Sequence, residues 1–376
     1  MKRISEIKMN NTTFNIGIIG FGIGKIYAAA SKAINLYYPD LPRIELSGIA
    51  TNSKASGEKA LDQFAFRYAT QNYLDILNDQ NTDAVIVSSP NNLHHQMISA
   101  ALDTDKAIYV DKPLALNFSE AEDILTKSKN KNKDCHLGFE FRYCPALQKA
   151  KALIDNGKIG KLYSYRINYF RPSAISEKKD LRWKGEMSKC GDGVINDYGP
   201  HIIDLAIWLT GLADRVSSSR RIYTPERNGL KVDAADHYLV QTEIRNGVIG
   251  SLETSRMITG SDNDLNIEIY GSKGSLKWSL MQPNYLQAAF IDSPFSNSWI
   301  NIMTGQDFPE AILPGKDTPV GIMRFYIASL MDFISHTINK TSYSSGLMDG
   351  IKVQAFVEAA TKAAFTENWE DLPKLS

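Results

Sequence analysis

The sequence is poor in cysteine, in charge of one sign and in long apolar runs, and each shortage removes a class of protein. Its three cysteines, Cys135, Cys144 and Cys190, form no Cys-x-x-Cys pair. A disulfide framework, a zinc ribbon and a dithiol redox site are therefore not expected, and a reducing compartment, the cytoplasm, is. Forty-two Lys and Arg balance 42 Asp and Glu. The chain as a whole offers no attraction to phosphate backbones or anionic lipid, so no nucleic-acid or membrane partner is expected. No apolar stretch reaches the ~18 residues of a spanning helix. The first 13 residues open Met-Lys-Arg, but Glu6 and Lys8 interrupt any apolar signal core. They are expected to form an extension, with Met9 as an alternative start. The histidines His94, His95, His136, His201, His237 and His336 make no His-x-x-x-His or His/Cys cluster, and no metal is expected. Gly-x-Ser-x-Gly and Walker loops are also missing.

What is present is 376 residues with 43% hydrophobic composition, enough for two folded domains. From Phe14 to about Glu140, short apolar runs alternate with amphipathic stretches. Strands are expected at Phe14–Gly20, Ile44–Ala50, Ala84–Ser88 and Ala107–Val110, with helices at Ile23–Ile34, Ser53–Phe64, Leu93–Leu102 and Phe118–Lys129. Such alternation argues for βαβ units on a parallel sheet. Beyond Tyr143 the rhythm changes. A helix at Pro145–Asn156 precedes long alternating segments at Leu162–Phe170, Arg215–Tyr223, Asp236–Ile244, Val248–Met257 and Asn266–Tyr270. Arg245-Asn246-Gly247 is a hairpin signal between two of them. Further helices are expected at Pro200–Leu209, Arg324–Asn339 and Leu347–Glu367, and a long loop region at 281–320. The expected architecture is α/β: a dinucleotide-binding Rossmann domain over 14–140 and an α/β domain with a large, mostly antiparallel open sheet over 141–376.

Gly20-Phe21-Gly22-Ile23-Gly24 follows the first strand and opens a helix. Gly20 permits the tight turn and Gly22 a close approach of backbone to pyrophosphate at the helix N-terminus. Lys25 stands where the full fingerprint has Gly or Ala. The second strand ends Ala50-Thr51-Asn52-Ser53-Lys54, without the acid that binds a ribose 2′-hydroxyl. Hydroxyls and a lysine suit a 2′-phosphate better, so NADP is favoured over NAD. Lys54 as a solvated first-turn residue is the alternative.

Three further segments fall into an order: Ser88-Ser89-Pro90-Asn91-Asn92-Leu93-His94, Tyr109-Val110-Asp111-Lys112-Pro113, and the run from Gly191 to Asp204 that contains Asp197 and His201. With Gly138-Phe-Glu-Phe-Arg142 and Gly271-Ser-Lys-Gly-Ser275, they resemble the glucose–fructose oxidoreductase / inositol dehydrogenase / rhizopine catabolism (Gfo/Idh/MocA) family over about residues 14–372. The resemblance implies an NAD(P)-dependent oxidoreductase of sugars or cyclic polyols. It also implies a homodimer or homotetramer formed through the C-terminal sheet. Lys112 matches the family lysine that touches nicotinamide and substrate, and Asp197 and His201 match the Asp-x-x-x-His pair. Three positions depart from the pattern: Asp111 replaces Glu, Asp192 interrupts a glycine run, and Tyr27 stands where histidine is frequent.

Oxidising a secondary alcohol needs a base for the hydroxyl proton and a cation for the developing alkoxide. His201 suits the first role and Lys112 the second, with a share in proton transfer; Asp197 is expected to bind substrate. Ser89, Pro90, Asn91, His94 and Asp111 join the expected cofactor set, and Arg142, Tyr169, Arg182 and Trp183 the expected sugar pocket. The bland alternatives are a turn lysine, a structural histidine and a helix cap. Two other functions remain open: NAD-dependent glycoside hydrolysis, and NADP sensing by a regulator, against which retention of Lys112, Asp197 and His201 speaks.

Overall fold

A computed structural model describes residues 13–292, 294, 298–305, 307–308, 310–312 and 318–375. The apolar run at its start becomes a central strand, because every polar backbone group of so buried a segment must find a partner on both sides. That strand, β1 (Thr13–Ile19), is followed by α1 (Gly24–Tyr37), β2 (Arg43–Ala50), α2 (Lys54–Phe64), β3 (Tyr68–Thr70), α3 (Tyr73–Asn78), β4 (Ala84–Val87), α4 (Asn91–Leu102), β5 (Ala107–Asp111), α5 (Phe118–Lys131) and β6 (His136–Gly138). The six strands pair in parallel in the order β3-β2-β1-β4-β5-β6. This is the doubly wound Rossmann order, whose winding reverses between β1 and β4 and opens a ligand crevice beyond their carboxyl ends. The sequence pattern does not disclose β3, α3 or β6, which are only 3, 6 and 3 residues long.

The chain continues with α6 (Pro145–Asp155), β7 (Leu162–Phe170), α7 (Met187–Cys190), α8 (Val194–Asp197), α9 (Gly199–Thr210), β8 (Arg215–Arg221), β9 (Glu226–Arg227), β10 (Leu230–Lys231), β11 (His237–Ile244), β12 (Val248–Ser255), β13 (Asp264–Gly271), β14 (Gly274–Ser279), β15 (Tyr285–Phe290) and β16 (Ile300–Met303). Helices α10 (Met323–Asn339) and α11 (Leu347–Thr366) and the short β17 (Glu370–Asp371) close it. The second sheet has nine strands in the order β16-β15-β14-β13-β7-β12-β11-β8-β17, with the β7–β12 pair parallel and the rest antiparallel. The loop expectation for 281–320 needs correction, because β15 and β16 lie inside it. Their 6 and 4 residues extend the sheet edge, and ladder pairing, of β15 with β14 and of β16 with β15, sets them as strands rather than a run of apolar residues.

By packing, the described residues up to Ala115, Glu120–Tyr143 and those of Phe308–Gly350 form one compact unit; Leu116–Ser119, the rest of Cys144–Asp307 and the chain from Ile351 form another. Leu116–Ser119 and the described residues of Phe308–Gly350 are grouped otherwise than by a division at residue 140. In the first unit Phe333 and Ile334 of α10 join the core built by Tyr27, Ile34, Ile16 and Tyr109. All three cysteines are free and buried. Burial pushes the Cys144 thiol up to about 12 and that of Cys190 to about 11, and it raises Cys135 as well. Among the described residues no helix is long and apolar enough to cross a membrane, and no group of acidic, histidine or cysteine side chains is arranged to hold a metal ion.

One ion pair organises the second unit. Arg256 Nε donates to Asp236 Oδ1 at 2.7 Å, with the carboxylate wholly buried and the guanidinium nearly so. Asp236 also accepts from the backbone N–H of Tyr223 at 2.8 Å and of Thr224 at 3.3 Å. The remaining nitrogens of Arg256 reach the carbonyls of Lys184 and Ala234, each at 3.0 Å. Arg256→Ala would strand the Asp236 charge in the interior, a loss of about 3–5 kcal/mol. Urea denaturation measures it, and a loss below about 1 kcal/mol, the scale of an exposed pair, would contradict this account.

Candidate functional site

In the first unit the crevice is shaped by backbone. Gly20 adopts φ +101°, and a Cβ there would lie 2.6 Å from the Ser88 carbonyl oxygen. Only glycine relieves both strains. Ser88 Oγ in turn bonds to the carbonyls of Ile19 and Gly20 at 3.1 Å, tying the ends of β1 and β4 together. A Cβ on Gly22 would meet nothing within 4 Å, so this backbone faces open space. The N-terminus of α1 beyond it has no side-chain cap and no acid in its first turn. Its free N–H groups and positive dipole end fit the pyrophosphate of a dinucleotide.

The other expected cofactor residues have more varied places. Phe21 packs edge-on to Phe64, ring centroids 6.1 Å apart, while Ile23 is the N-cap residue of α1. Thr51 is buried and donates to the Ser53 carbonyl at 2.8 Å; Ser53 Oγ caps α2 by accepting from Ser56 N at 3.3 Å. Asn52 and Lys54 are exposed at the tip of β2, and Lys54 pairs loosely with Glu58 at 3.9 Å. Pro90 starts α4, in which Asn91 is buried. His94 is spent on the scaffold. Its Nδ1 meets the Pro113 carbonyl at 2.8 Å and its Nε2 the Ser89 carbonyl at 2.9 Å, so its ring braces the two loops instead of presenting an edge to a nucleotide.

Lys112 follows β5 and precedes Pro113, and the sequence departures around it explain one another. Tyr27 Oη donates to Asp111 Oδ1 at 2.7 Å, the longer side chain reaching the shorter acid. Both residues are buried. Burial raises the Asp111 carboxyl, while the Lys112 charge and the Tyr27 hydrogen bond pull it back down. Glu140, in the turn after β6, was not among the expected site residues. It is buried and accepts from Tyr326 Oη of α10 at 3.1 Å. Burial pushes its carboxyl up to about 8; the Asp111 charge adds to the rise and that of Lys112 opposes it. Its sequence signals are its place in the Gly138–Arg142 segment and an acid inside the apolar Phe139-Glu140-Phe141 run.

In the second unit, Asp197 ends the short α8 and His201 lies in the first turn of α9, after Gly199-Pro200. Two helices with Tyr198 between them thus stand where the sequence pattern gives one from Pro200. Lys184 Nζ donates to Asp197 Oδ2 at 2.7 Å. Burial works against the Lys184 ammonium, but the Asp197 charge and hydrogen bond outweigh it and raise its pKa. Since Arg256 grips the Lys184 carbonyl, the buried ion pair of the sheet positions the loop that supplies this cation. His201 is buried beside Tyr169, ring centroids 5.7 Å apart, and Tyr169 stands 5.3 Å from Tyr198. Arg171 lies 5.7 Å over the Tyr198 ring. Asp192, the interruption of the glycine run, is buried and accepts from Arg220 Nη2 at 2.7 Å, from Tyr238 Oη and from Ala235 N at 3.3 Å. Its carboxylate fastens the loop to β8 and β11.

Of the expected sugar-pocket residues, Tyr169 adjoins His201, but its hydroxyl donates to Asn263 Oδ1 at 2.6 Å. Trp183 carries Lys184 Nζ 5.6 Å over its ring. Arg182 is exposed, with φ +51°. Arg142 has a different task from the one expected: buried, it pairs with Asp349 at 3.1 Å and donates to the Ser344 carbonyl at 3.3 Å within the first unit.

Known proteins are similar to this chain along much or nearly all of its length. Levoglucosan dehydrogenase of Pseudarthrobacter phenanthrenivorans is 28% identical over 385 residues, covering 96% of this chain and 99% of that one. The scyllo-inositol 2-dehydrogenase (NAD(+)) of Bacillus subtilis is 29% identical over 260 residues, covering 68% and 71%. A solved levoglucosan dehydrogenase in complex with NADH and levoglucosan superposes with TM-score 0.92 at 28% identity, covering 96% of this chain and all of the other. Fold and relatives together define an NAD(P)-dependent oxidoreductase of the dehydrogenase and reductase class that acts on CH–OH groups. The family model described as oxidoreductase family, NAD-binding Rossmann fold, matches residues 14–139, and the one described as oxidoreductase family, C-terminal alpha/beta domain, matches 151–372. The chain belongs to this Gfo/Idh/MocA family.

The two glycines separate folding from binding. Gly20→Ala should lower thermal stability, since it meets both a positive φ and a carbonyl oxygen. Gly22→Ala has room, and its stability should stay within about 0.5 kcal/mol. Its NAD(P) affinity, measured by calorimetry, should nevertheless fall at least tenfold, the order of one lost ~1.4 kcal/mol contact. Unchanged affinity would remove Gly22 from the cofactor set.

Proposed function

We propose that the enzyme interconverts a secondary alcohol and a ketone on a sugar, cyclitol or sugar derivative, using NADP in preference to NAD. The observation that carries the sugar or cyclitol reaction is the whole-length likeness to levoglucosan dehydrogenase, which has been solved with NADH and levoglucosan; the NADP preference is drawn from the residues after β2 alone. When bound at the glycine crevice, the nicotinamide supplies a hydride acceptor or donor. Every other requirement falls to the chain. The open helix N-terminus of α1 and the backbone at Gly22 hold the phosphates, and Ser89, Pro90 and Asn91 line the crevice on the β4 side. Thr51, Asn52, Ser53 and Lys54 surround the ribose end. No carboxylate stands among these four to repel a 2′-phosphate, which supports the NADP preference.

Lys112 binds the reacting oxygen and stabilises negative charge as it develops there. His201 takes the hydroxyl proton in oxidation and returns it in reduction. Asp197, held in its charged form by Lys184, accepts a hydrogen bond from a substrate hydroxyl. The face of the second sheet that bears Arg166, Asn168, Leu239, Ile249 and Glu268 joins subunits into a dimer or tetramer, and the enzyme is cytoplasmic in the same proposal. Leu239 and Ile249 are exposed large apolar residues on that face, which supports an interface.

Lys112→Ala and His201→Ala should each lower kcat by roughly 10²–10⁴, the usual worth of acid–base catalysis, with cofactor affinity little changed. The assay follows nicotinamide absorbance across a panel of sugars and polyols, with NAD and NADP in parallel. Stoichiometric change in absorbance excludes a purely hydrolytic role, and near-normal rates in both variants would refute the site. Lys54→Glu should weaken NADP far more than NAD; equal weakening would overturn the 2′-phosphate assignment. Light scattering that finds a monomer would remove the sheet interface.

A further inference from the structure

A small hairpin lies outside both larger sheets. Its strands β9 and β10 pair Arg227 with Leu230 and Glu226 with Lys231. Two residues per strand do not hold a hairpin together in water, so this one takes its shape from what it touches. What it touches is the stretch between β7 and α7. Residues 171–181 there form neither helix nor strand, and their backbone carbonyls need partners from elsewhere. Three alternate carbonyls find them on the hairpin. Arg227 donates from Nη2 to Ala174 at 2.7 Å and from Nη1 to Ser176 at 2.6 Å, and Asn228 Nδ2 donates to Lys178 at 3.1 Å. The far end of the stretch is gripped by the chain just after β10. Asp233 Oδ1 accepts from Met187 N at 2.6 Å, and the N–H groups of Asp233 and Ala234 reach the Gly185 carbonyl at 3.2 and 3.4 Å.

The geometry points to the β9–β10 hairpin as a clamp on the substrate loop, with Arg227 as a positioning residue that acts through Lys184 on Asp197. This rests on the reading of Asp197 as the acid that binds substrate. Residues 179–184 lie between the two grips, and the last of them, Lys184, donates to Asp197 at 2.7 Å. A loop held at both ends presents that ammonium in one place, whereas a loop released at one end spreads it over many conformations. Arg256 already fixes the end of the segment at the Lys184 carbonyl; the hairpin fixes its approach. Arg227 is suited to the task. It is only 3% exposed, and a buried guanidinium is costly unless its hydrogen bonds are made. Charge-assisted bonds of this length are the strong kind. The planar fork spans two carbonyls two residues apart, which the single ammonium of a lysine does less well.

Kinetics and proteolysis test the clamp together. In Arg227→Met, which keeps bulk without donors, KM should rise about tenfold or more with kcat within about threefold, the sign of lost substrate binding. KM is read for the member turned over fastest in a sugar and polyol panel headed by levoglucosan. Cofactor affinity, measured by calorimetry, should not change. Arg227→Lys keeps one charged donor, so its KM should fall between those of wild type and Arg227→Met. Native-state trypsin cleavage after Lys178 and Lys179 should be about tenfold faster or more in Arg227→Met, because the loop opens locally. Asn228 is exposed at φ +50°, a conformation that glycine adopts freely. Asn228→Gly therefore removes one grip without disturbing the interior, and should give the same changes in smaller measure. A lower Tm with KM and cleavage as in wild type overturns the clamp, since a merely structural arginine would do no more. Asp197→Asn separates the proposal from the reading beneath it. If its KM is normal, that reading fails while the cleavage rates still judge the clamp. If its KM rises and that of Arg227→Met does not, only the clamp fails.

Discussion

A carboxylate withdrawn from water must be paired, neutralised or given several hydrogen bonds, and this molecule is organised around the places where that demand is met. Asp236 meets it with Arg256 and two backbone N–H groups, Asp192 with Arg220 and Tyr238, and Asp332 with His136, Tyr143 and Ser344. In each case the partners come from separate stretches of chain, so the charge dictates which elements pack together. Asp111 and Glu140 draw on tyrosine hydroxyls, those of Tyr27 and Tyr326.

The same economy runs outward from Arg256. Its pairing with Asp236 is structural, yet its remaining nitrogen fixes the backbone of Lys184, and Lys184 holds Asp197. The sheet interior and Asp197, the acid proposed to bind substrate, are thus linked through a single residue, and the geometry of Asp197 inherits the rigidity of a buried pair rather than that of a loop.

Much of the architecture was legible in the sequence because it depends on local signals. Buried strands such as Ala84–Val87 announce themselves as continuous apolar runs, and Gly20 and Gly22 mark the crevice by spacing. What was not legible depends on distant chain. Glu140 gains its partner because α10 returns Tyr326 to it from 186 positions away, a pairing that local sequence does not foretell. Arg142 looks like a sugar ligand until Asp349 arrives to take its charge. His94 resembles a nucleotide contact until both its nitrogens are seen on carbonyls. Strands β15 and β16 depend on an edge already built by β14. The departures at Tyr27 and Asp111 were visible separately; that each compensates for the other required their hydrogen bond.

The three enclosed thiols have a consequence for watching the protein at work. Held protonated by burial, Cys135, Cys144 and Cys190 are poor nucleophiles while the chain is folded. A thiol reagent therefore registers only excursions that expose them. Cys135 lies in the first compact unit and Cys144 and Cys190 in the second. The natural sequence thus carries a built-in label for the breathing of each half, and alkylation kinetics followed peptide by peptide would reveal which half opens first.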